Sequence, residues 1–286
     1  MPFTQNIHTS IVIPTHNQYE MLSRLIVGLN ETAAQFSKPV ELLVVDNNSN
    51  DAATLDYLNE LQHADSVQHF AKVTVLVYPY PFNYSAINNF AASNSSGDFL
   101  CFLNNDVEVI STDWLAALHE PLSNENAGCA GAMLYFPDNT IQHAGVYLDP
   151  VQVAGHLYKN APRGSHGYDN FLTSVQELDV VTAACLLVKQ KVFWQVNGFD
   201  ETFAVAFNDV DFCLRLKKAG FQNYWTPFAQ LYHHESKSRG TTKRSFRSRL
   251  RHKNEVRTMK KRWSSELAAD RLKEIHSIGA SSKFTQ

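Results

Sequence analysis

The feature that most constrains this chain is an alternation across its first 110 residues of short branched-apolar runs, each closed by a polar cluster, and longer segments of helical spacing. "TSIVIPTHN" ends at Pro14 and the residues after it, and "YEMLSRLIVGLNETAAQF" follows with Met21, Leu22, Leu25, Ile26 and Leu29 recurring at helical intervals. "VELLVVDNNSND" repeats the scheme with a strand ending at Asp46, then "AATLDYLNELQ". "KVTVLVYP", "YSAINNFAASNS" and "DFLCFLNND" continue it. Strands alternating with helices predict an α/β fold of Rossmann-like kind, with a mostly parallel central sheet flanked by helices. Ligands of such sheets bind beyond the carboxyl ends of the strands. Pro14 to Asn17, Asp46 to Asn48 and Asn104 to Asp106 all fall at such ends and are expected to converge on one crevice.

The second half is less regular. "AGCAGAMLYF" and "ELDVVTAACLLVKQKVF" contain strands, "DVDFCLRLKKAGF" reads as a helix closed by Gly220, and "QNYWTPFAQLYHHES" returns as a strand ending at two histidines. The expected organisation is a domain over 1–240 and a basic, helical C-terminal tail over 241–286. The net charge of -3 conceals that tail. Lys237 to Arg262 holds 12 Lys and Arg against one acid, Glu255, which leaves 13 bases and 27 acids for the rest. Phe246, Leu250, Val256 and Met259 are scattered apolar anchors within it. No apolar run is long enough to span a bilayer and the start lacks signal-peptide character, so a cytoplasmic protein is expected. Cys101, Cys129, Cys185 and Cys213 are isolated among apolar neighbours and read as reduced core residues.

A crevice lined by Asp46, Asp106, Asp209, Asp211 and a histidine pair, His233 and His234, offers carboxylate oxygen and imidazole nitrogen, a donor set that suits Mn²⁺ or Mg²⁺. Such an ion needs few protein ligands when substrate phosphates supply the rest, and it neutralises charge on a departing diphosphate. An Asp or Asn after a strand also serves as a turn or helix cap, and each position keeps that alternative.

"IVIPTHN", "ELLVVDNNSND", "FLNNDVEV", "GFDETFAVAFNDVDFCLRLKKAG" and "LYHHESKSRG", in this order, resemble the family 2 glycosyltransferases of GT-A fold, especially bacterial enzymes that build O-antigen and related surface glycans. The resemblance runs from Thr9 to Gly240. It implies an inverting transferase that takes a sugar from a UDP- or dTDP-linked donor. Pro14, Thr15 and Asn17 would then cradle the nucleotide base, with Asp46 accepting from its N3–H. Asn83, Asn89, Asn104 and Asn105 would line the nucleotide, although Asn88 stands where relatives often carry a phosphate-binding Arg. Asn104-Asn105-Asp106 matches the family's DxD motif, with Asp106 as the metal-binding carboxylate and an amide replacing the first acid. In "HHESKS" the resemblance favours His233 over His234 as the second metal ligand.

"FNDVDF" matches the motif of the catalytic base, which falls on Asp209, with Asn208 in place of a frequent Glu and Asp211 expected to cap or orient the following helix. Ala183 in "VTAAC" would lie along the donor sugar, and His143 in "FPDNTIQHAGVYLDP" would face the donor or acceptor sugar or serve as a structural loop residue. Trp194, Tyr224 and Trp225 fit either sugar stacking or the core.

Two other classes compete. A sugar nucleotidylyltransferase would want a glycine-rich basic loop after its first strand, and "PTHNQYE" has neither glycine nor base. A non-catalytic protein that binds nucleic acid through the tail would set an acidic globule against a polyanion, so no nucleic-acid partner is expected. Expected partners are a nucleotide-sugar donor, a glycan or lipid-linked glycan acceptor and, through the basic tail, an anionic membrane surface.

Overall fold

The computed structural model describes residues 8–62, 67–234, 246–270 and 272. The first half alternates as its sequence predicts: β1 (Thr9–Thr15), α1 (Tyr19–Ala33), β2 (Val40–Asp46), α2 (Ala52–Leu61), β3 (Lys72–Val77), α3 (Tyr84–Ser93) and β4 (Phe99–Leu103). β5 (Val107–Val109), α4 (Trp114–His119) and β6 (Ala127–Tyr135) follow. β7 (Ile141–His143), β8 (Val146–Asp149) and β9 (Val153–His156) then precede β10 (Gln176–Leu178), β11 (Cys185–Lys189), α5 (Gln190–Gln195), α6 (Asn208–Lys218) and β12 (Gln222–His233).

The sheet runs β10-β12-β6-β11-β4-β1-β2-β3. β3, β2, β1 and β4 are mutually parallel. β11 opposes both β4 and β6, and β12 lies parallel to β6, so β6 and β12 point the same way as the first four. The alternating side-chain direction of a strand separates two cores. Ile11, Ile13, Leu42 and Val44 pack with Leu22, Leu25, Ile26 and Leu29 of α1 on one face. Val12 and Val45 pack with Ile87 and Ala91 of α3 and Phe212 of α6 on the other. All four cysteines are buried free thiols. Trp225 is in the core, whereas Trp194 is 39% exposed.

The C-terminal basic segment forms α7 (Phe246–Arg262) and α8 (Ser264–Ala269), helical as expected. It packs into the domain: Met259, Trp263 and Leu267, three apolar residues at four-residue intervals, are buried in the same core as α3 and α6. Charge masks this stripe in the sequence. The expected boundary near residue 240 lies outside the described residues.

Of the two roles expected for Asp211, to cap or to orient α6, the first is not met. It does not cap α6, whose N-cap is Phe207 in left-handed conformation. Fully buried inside the first turn, its carboxylate takes hydrogen bonds from Arg215 Nε at 2.7 Å, Arg262 Nη1 at 2.7 Å and Trp263 Nε1 at 2.9 Å. A buried carboxylate persists only when its lone pairs are met this way. Asp211 is thus the bolt that fastens the C-terminal helices to α6. Among the described residues, no helix is long and apolar enough to cross a membrane.

Candidate active site

The carboxyl ends of β1, β2, β3 and β4 are laced together by short polar side chains. Asn17 and Gln18 adopt left-handed backbone at φ 56° and 67°, a conformation Asn tolerates better than most residues. That turn aims Asn17 Oδ1 at the backbone N–H groups of Asn50 and Asp51, at 2.9 and 3.0 Å. Asp46, 5% exposed, accepts from Ser49 N at 3.1 Å. Asn47 Nδ2 donates to the carbonyls of Tyr78 and Tyr80 at 3.0 and 2.8 Å. Asn105 Nδ2 donates to Thr15 Oγ1 at 3.0 Å, and Pro14 pairs in register with Val45. Pro14, Thr15, Asn17, Asp46, Asn104, Asn105 and Asp106 therefore share one rim, as the strand-end rule predicts.

β5 pairs antiparallel with the end of β12, setting Val107 opposite His233. That register puts His233 Nε2 3.1 Å from Asp106 Oδ1. His234 turns to Glu108, at 3.1 Å, so His233 is the histidine beside the Asp106 carboxylate. Gln142, absent from the sequence expectations, fixes its tautomer. Its Nε2 donates to the His233 carbonyl at 3.3 Å, so Oε1, 2.7 Å from Nδ1, must accept the Nδ1 proton. In a neutral His233 the lone pair is then on Nε2, which also lies 3.4 Å from Asn104 Nδ2. At 3.1 Å, His233 Nε2 and Asp106 Oδ1 are held together either by a proton on the nitrogen or by a cation that both ligate. Neighbouring ligands on an octahedral ion with bonds of about 2.1 Å are themselves about 3 Å apart. Asp106 and His233 therefore fit a divalent ion. Among the described residues, no cluster of three or more His, Cys, Asp or Glu is placed to hold a metal. The remaining positions fall to substrate oxygens and water, the usual arrangement for Mg²⁺.

Asp209 stands on the first turn of α6. Its Oδ2 accepts from the Ala183 N–H at 3.2 Å, and the Ala183 carbonyl accepts from Tyr84 Oη at 2.9 Å. Burial, followed by the negative charges of Asp209 and Asp106, pushes the Tyr84 phenol above its ordinary range. Tyr84 thus feels both carboxylates and keeps its proton. Sequence reasoning stopped one residue short of it, at Asn83.

Five further residues expected at the site have partners within the fold. Asn83 caps α3, accepting from Ala86 N at 3.2 Å while its amide donates to Glu201 O at 2.8 Å. Asn89 is spent on the loop before α6: Nδ2 donates to Phe199 O at 2.9 Å and Oδ1 accepts from Phe199 N at 2.9 Å. Gly198, at φ 64°, permits that approach, since a Cβ there would lie 2.6 Å from Asn89 Oδ1. Asn208, 6% exposed, accepts from Asp209 N at 2.8 Å, and Ala183 acts through its backbone. His143 is fully buried, accepts from Gly145 N at 3.3 Å and contacts His156 Nδ1 at 2.8 Å. Burial, then His156 and His233, hold its imidazole well below the ordinary range, so it is neutral and has no face for a sugar. His143 is the structural histidine of the two alternatives.

Known proteins resemble this chain in sequence and in fold. The family described as glycosyl transferase family 2 matches residues 10–196. An uncharacterised protein of Sinorhizobium fredii is 41% identical over 91% of this chain and 28% of its own length. The O-antigen biosynthesis protein RfbC of Myxococcus xanthus is 37% identical over 80% of this chain and 17% of its own. The chain thus spans less than a third of those two relatives. An N-acetylglucosaminyl-diphospho-decaprenol L-rhamnosyltransferase of Mycobacterium tuberculosis is 24% identical over 80% of this chain and 77% of its own. In fold, the crystal structure of GalNAc-T7 with UDP, GalNAc and Mn²⁺ aligns at a TM-score of 0.68 and 15% identity, covering 92% of this chain and 50% of that one. With the family match extending from β1 through α5 and the strand-end site built as described, this chain belongs to glycosyl transferase family 2.

Proposed function

We propose that the chain transfers a sugar from a nucleotide-diphosphate sugar to a hydroxyl of a bacterial surface glycan, with inversion at the anomeric carbon. The observation that carries this is the placement of two carboxylates with separate partners around Tyr84: Asp106 beside His233, and Asp209 on the Ala183 backbone. Asp106 and His233 would hold Mn²⁺ or Mg²⁺, which supplies charge neutralisation on the departing diphosphate. Pro14, Thr15, Asn17 and Asp46 form the base end of the nucleotide site, with the Asp46 carboxylate as acceptor for a uracil or thymine N–H. Asp209 takes the proton of the acceptor hydroxyl as its oxygen bonds to the anomeric carbon and the bond to the diphosphate breaks. The Ala183 N–H on Oδ2 fixes that carboxylate's orientation and leaves lone pairs for the incoming proton.

The discriminating experiment is calorimetric titration with UDP-, dTDP- and GDP-sugars in Mn²⁺. Tight binding of a uridine or thymidine donor is expected. Failure of every donor to bind with the ion present would refute the site. A second proposal concerns the exposed Arg249, Lys253 and Arg257 of α7, which suit the surface of an anionic membrane at the cytoplasmic face, each base contributing about 1 kcal/mol there. Cosedimentation with vesicles containing phosphatidylglycerol, reversed by salt and absent with phosphatidylcholine alone, is the expected result. Salt-insensitive binding to neutral vesicles would contradict it.

A further inference from the structure

The turn that delivers Asp209 to the site is held from both sides. Phe207, the N-cap of α6, has φ 63° and ψ 10°, left-handed backbone that a bulky aromatic residue rarely adopts. Such a residue keeps its conformation only where its surroundings impose it. α7 supplies part of that constraint. The His252 ring stacks on Phe207 with centroids 5.8 Å apart, and Glu255 Oε1 accepts from Val205 N at 3.0 Å. At the end of the helix, Arg262 Nη1 donates to Asp200 Oδ2 at 2.7 Å and its guanidinium lies over the Phe203 ring at 5.4 Å. α3 holds the other side: Tyr84 N donates to Ala204 O and Ser85 Oγ to Phe203 O, each at 2.8 Å.

From Glu255 a run of hydrogen bonds leads to the reacting carboxylate. Val205 N meets Glu255, and the Val205 carbonyl accepts from Asn208 Nδ2 at 3.5 Å. Asn208 Oδ1 accepts from Asp209 N at 2.8 Å, and Asp209 Oδ2 accepts from Ala183 N at 3.2 Å. Glu255 is 2% exposed, and its Oε2 has no hydrogen-bond partner among the described residues. An apolar side chain would spare the fold that unmet oxygen. The next two four-residue steps along α7 are indeed apolar, the buried Met259 and Trp263. What the glutamate adds is an acceptor for the turn before Asp209.

We infer that Glu255 is a positioning residue for the transfer reaction: through Val205 and the left-handed turn at Phe207 it sets Asp209 where its carboxylate receives the acceptor proton, with His252 as a second hold. The inference rests on the reading of Asp209 as base. It gives α7 a part in catalysis as well as in the fold.

The test reads the Ala183 amide, which lies between β10 and β11 and reports on Asp209 without any substrate. In the full chain carrying isotope-labelled alanine, with the resonance assigned by Ala183→Gly, Asp209→Ala supplies the reference for an Ala183 N–H that has lost its acceptor. Glu255→Ala is expected to move the resonance toward that reference and to speed hydrogen exchange at least about tenfold, the protection of one hydrogen bond. Glu255→Gln keeps an oxygen for Val205 N and is expected to match the wild type. Titration of both variants with UDP and Mn²⁺ should return the wild-type Kd. With water as acceptor, kcat for release of the nucleoside diphosphate from the tightest-binding UDP-, dTDP- or GDP-sugar should fall at least about tenfold in Glu255→Ala, with KM unchanged. His252→Ala is expected to shift Ala183 in the same direction, and it decides the matter if Glu255→Ala does not fold. An unmoved Ala183 resonance overturns the inference. Equal losses in Glu255→Ala and Glu255→Gln also overturn it, since the contact with Val205 N would not be their cause, and so does a raised KM with kcat intact. Failure of every nucleotide to bind the wild type would instead refute the transferase reading, and the Ala183 amide would still show whether Glu255 places Asp209.

Discussion

Asn in place of Asp209 is expected to lower turnover by about 10²–10⁴-fold, which corresponds to about 3–5 kcal/mol of transition-state stabilisation. Nucleotide binding should hardly change. The carboxamide oxygen can still accept from the Ala183 N–H, the contact that Asp209 Oδ2 makes at 3.2 Å, so the first turn of α6 keeps its place. What the amide cannot do is receive a proton from an attacking hydroxyl. The buried neighbours sharpen the contrast, because Tyr84 holds its proton and offers no substitute base. Single-turnover transfer measured beside calorimetric titration with UDP separates the two quantities. Turnover like that of the wild type would remove Asp209 from its role, and loss of UDP binding would instead mean that the substitution damages the donor site.

The strand-end rule made the left half of the sheet legible, since the apolar runs of β1, β2 and β4 are buried and stop where the chain becomes polar. The pairing of β5 with β12 was not legible. β5 is three residues long, and its pairing with β12 brings Asp106 to His233. No local pattern announces a contact between positions 127 residues apart, and Gln142 was missed for the same reason. Asn83 and Asn89 illustrate a different limit: their types fit a nucleotide, but the same amides also serve the cap of α3 and the loop after Gly198, a use that residue type alone does not announce. The basic segment hid its apolar stripe because charge dominated the composition, although Met259, Trp263 and Leu267 stand at plain helical spacing.

Replacing Asp106 with Ala is expected to abolish most of the metal-dependent part of nucleotide binding and to cost several kcal/mol in the transfer step. The chain has only one carboxylate in its Asn104-Asn105-Asp106 triplet, so the substitution removes the triplet's one formal charge, which lies 3.1 Å from His233 Nε2. With Asp106 gone, His233 alone, still oriented by Gln142 at 2.7 Å, offers a single neutral donor, too little to hold a hard divalent ion against water. EDTA added to the wild type should reproduce the variant, and EDTA added to the variant should do little more, because both treatments remove the same interaction. That non-additivity distinguishes lost metal from a collapsed loop, which would add its own effect. UDP affinity with and without Mn²⁺, compared between wild type and Asp106→Ala, gives the measurement. If EDTA alters neither affinity nor turnover in the wild type, the pairing of Asp106 with His233 serves the fold, and charge on the departing diphosphate is met by other groups.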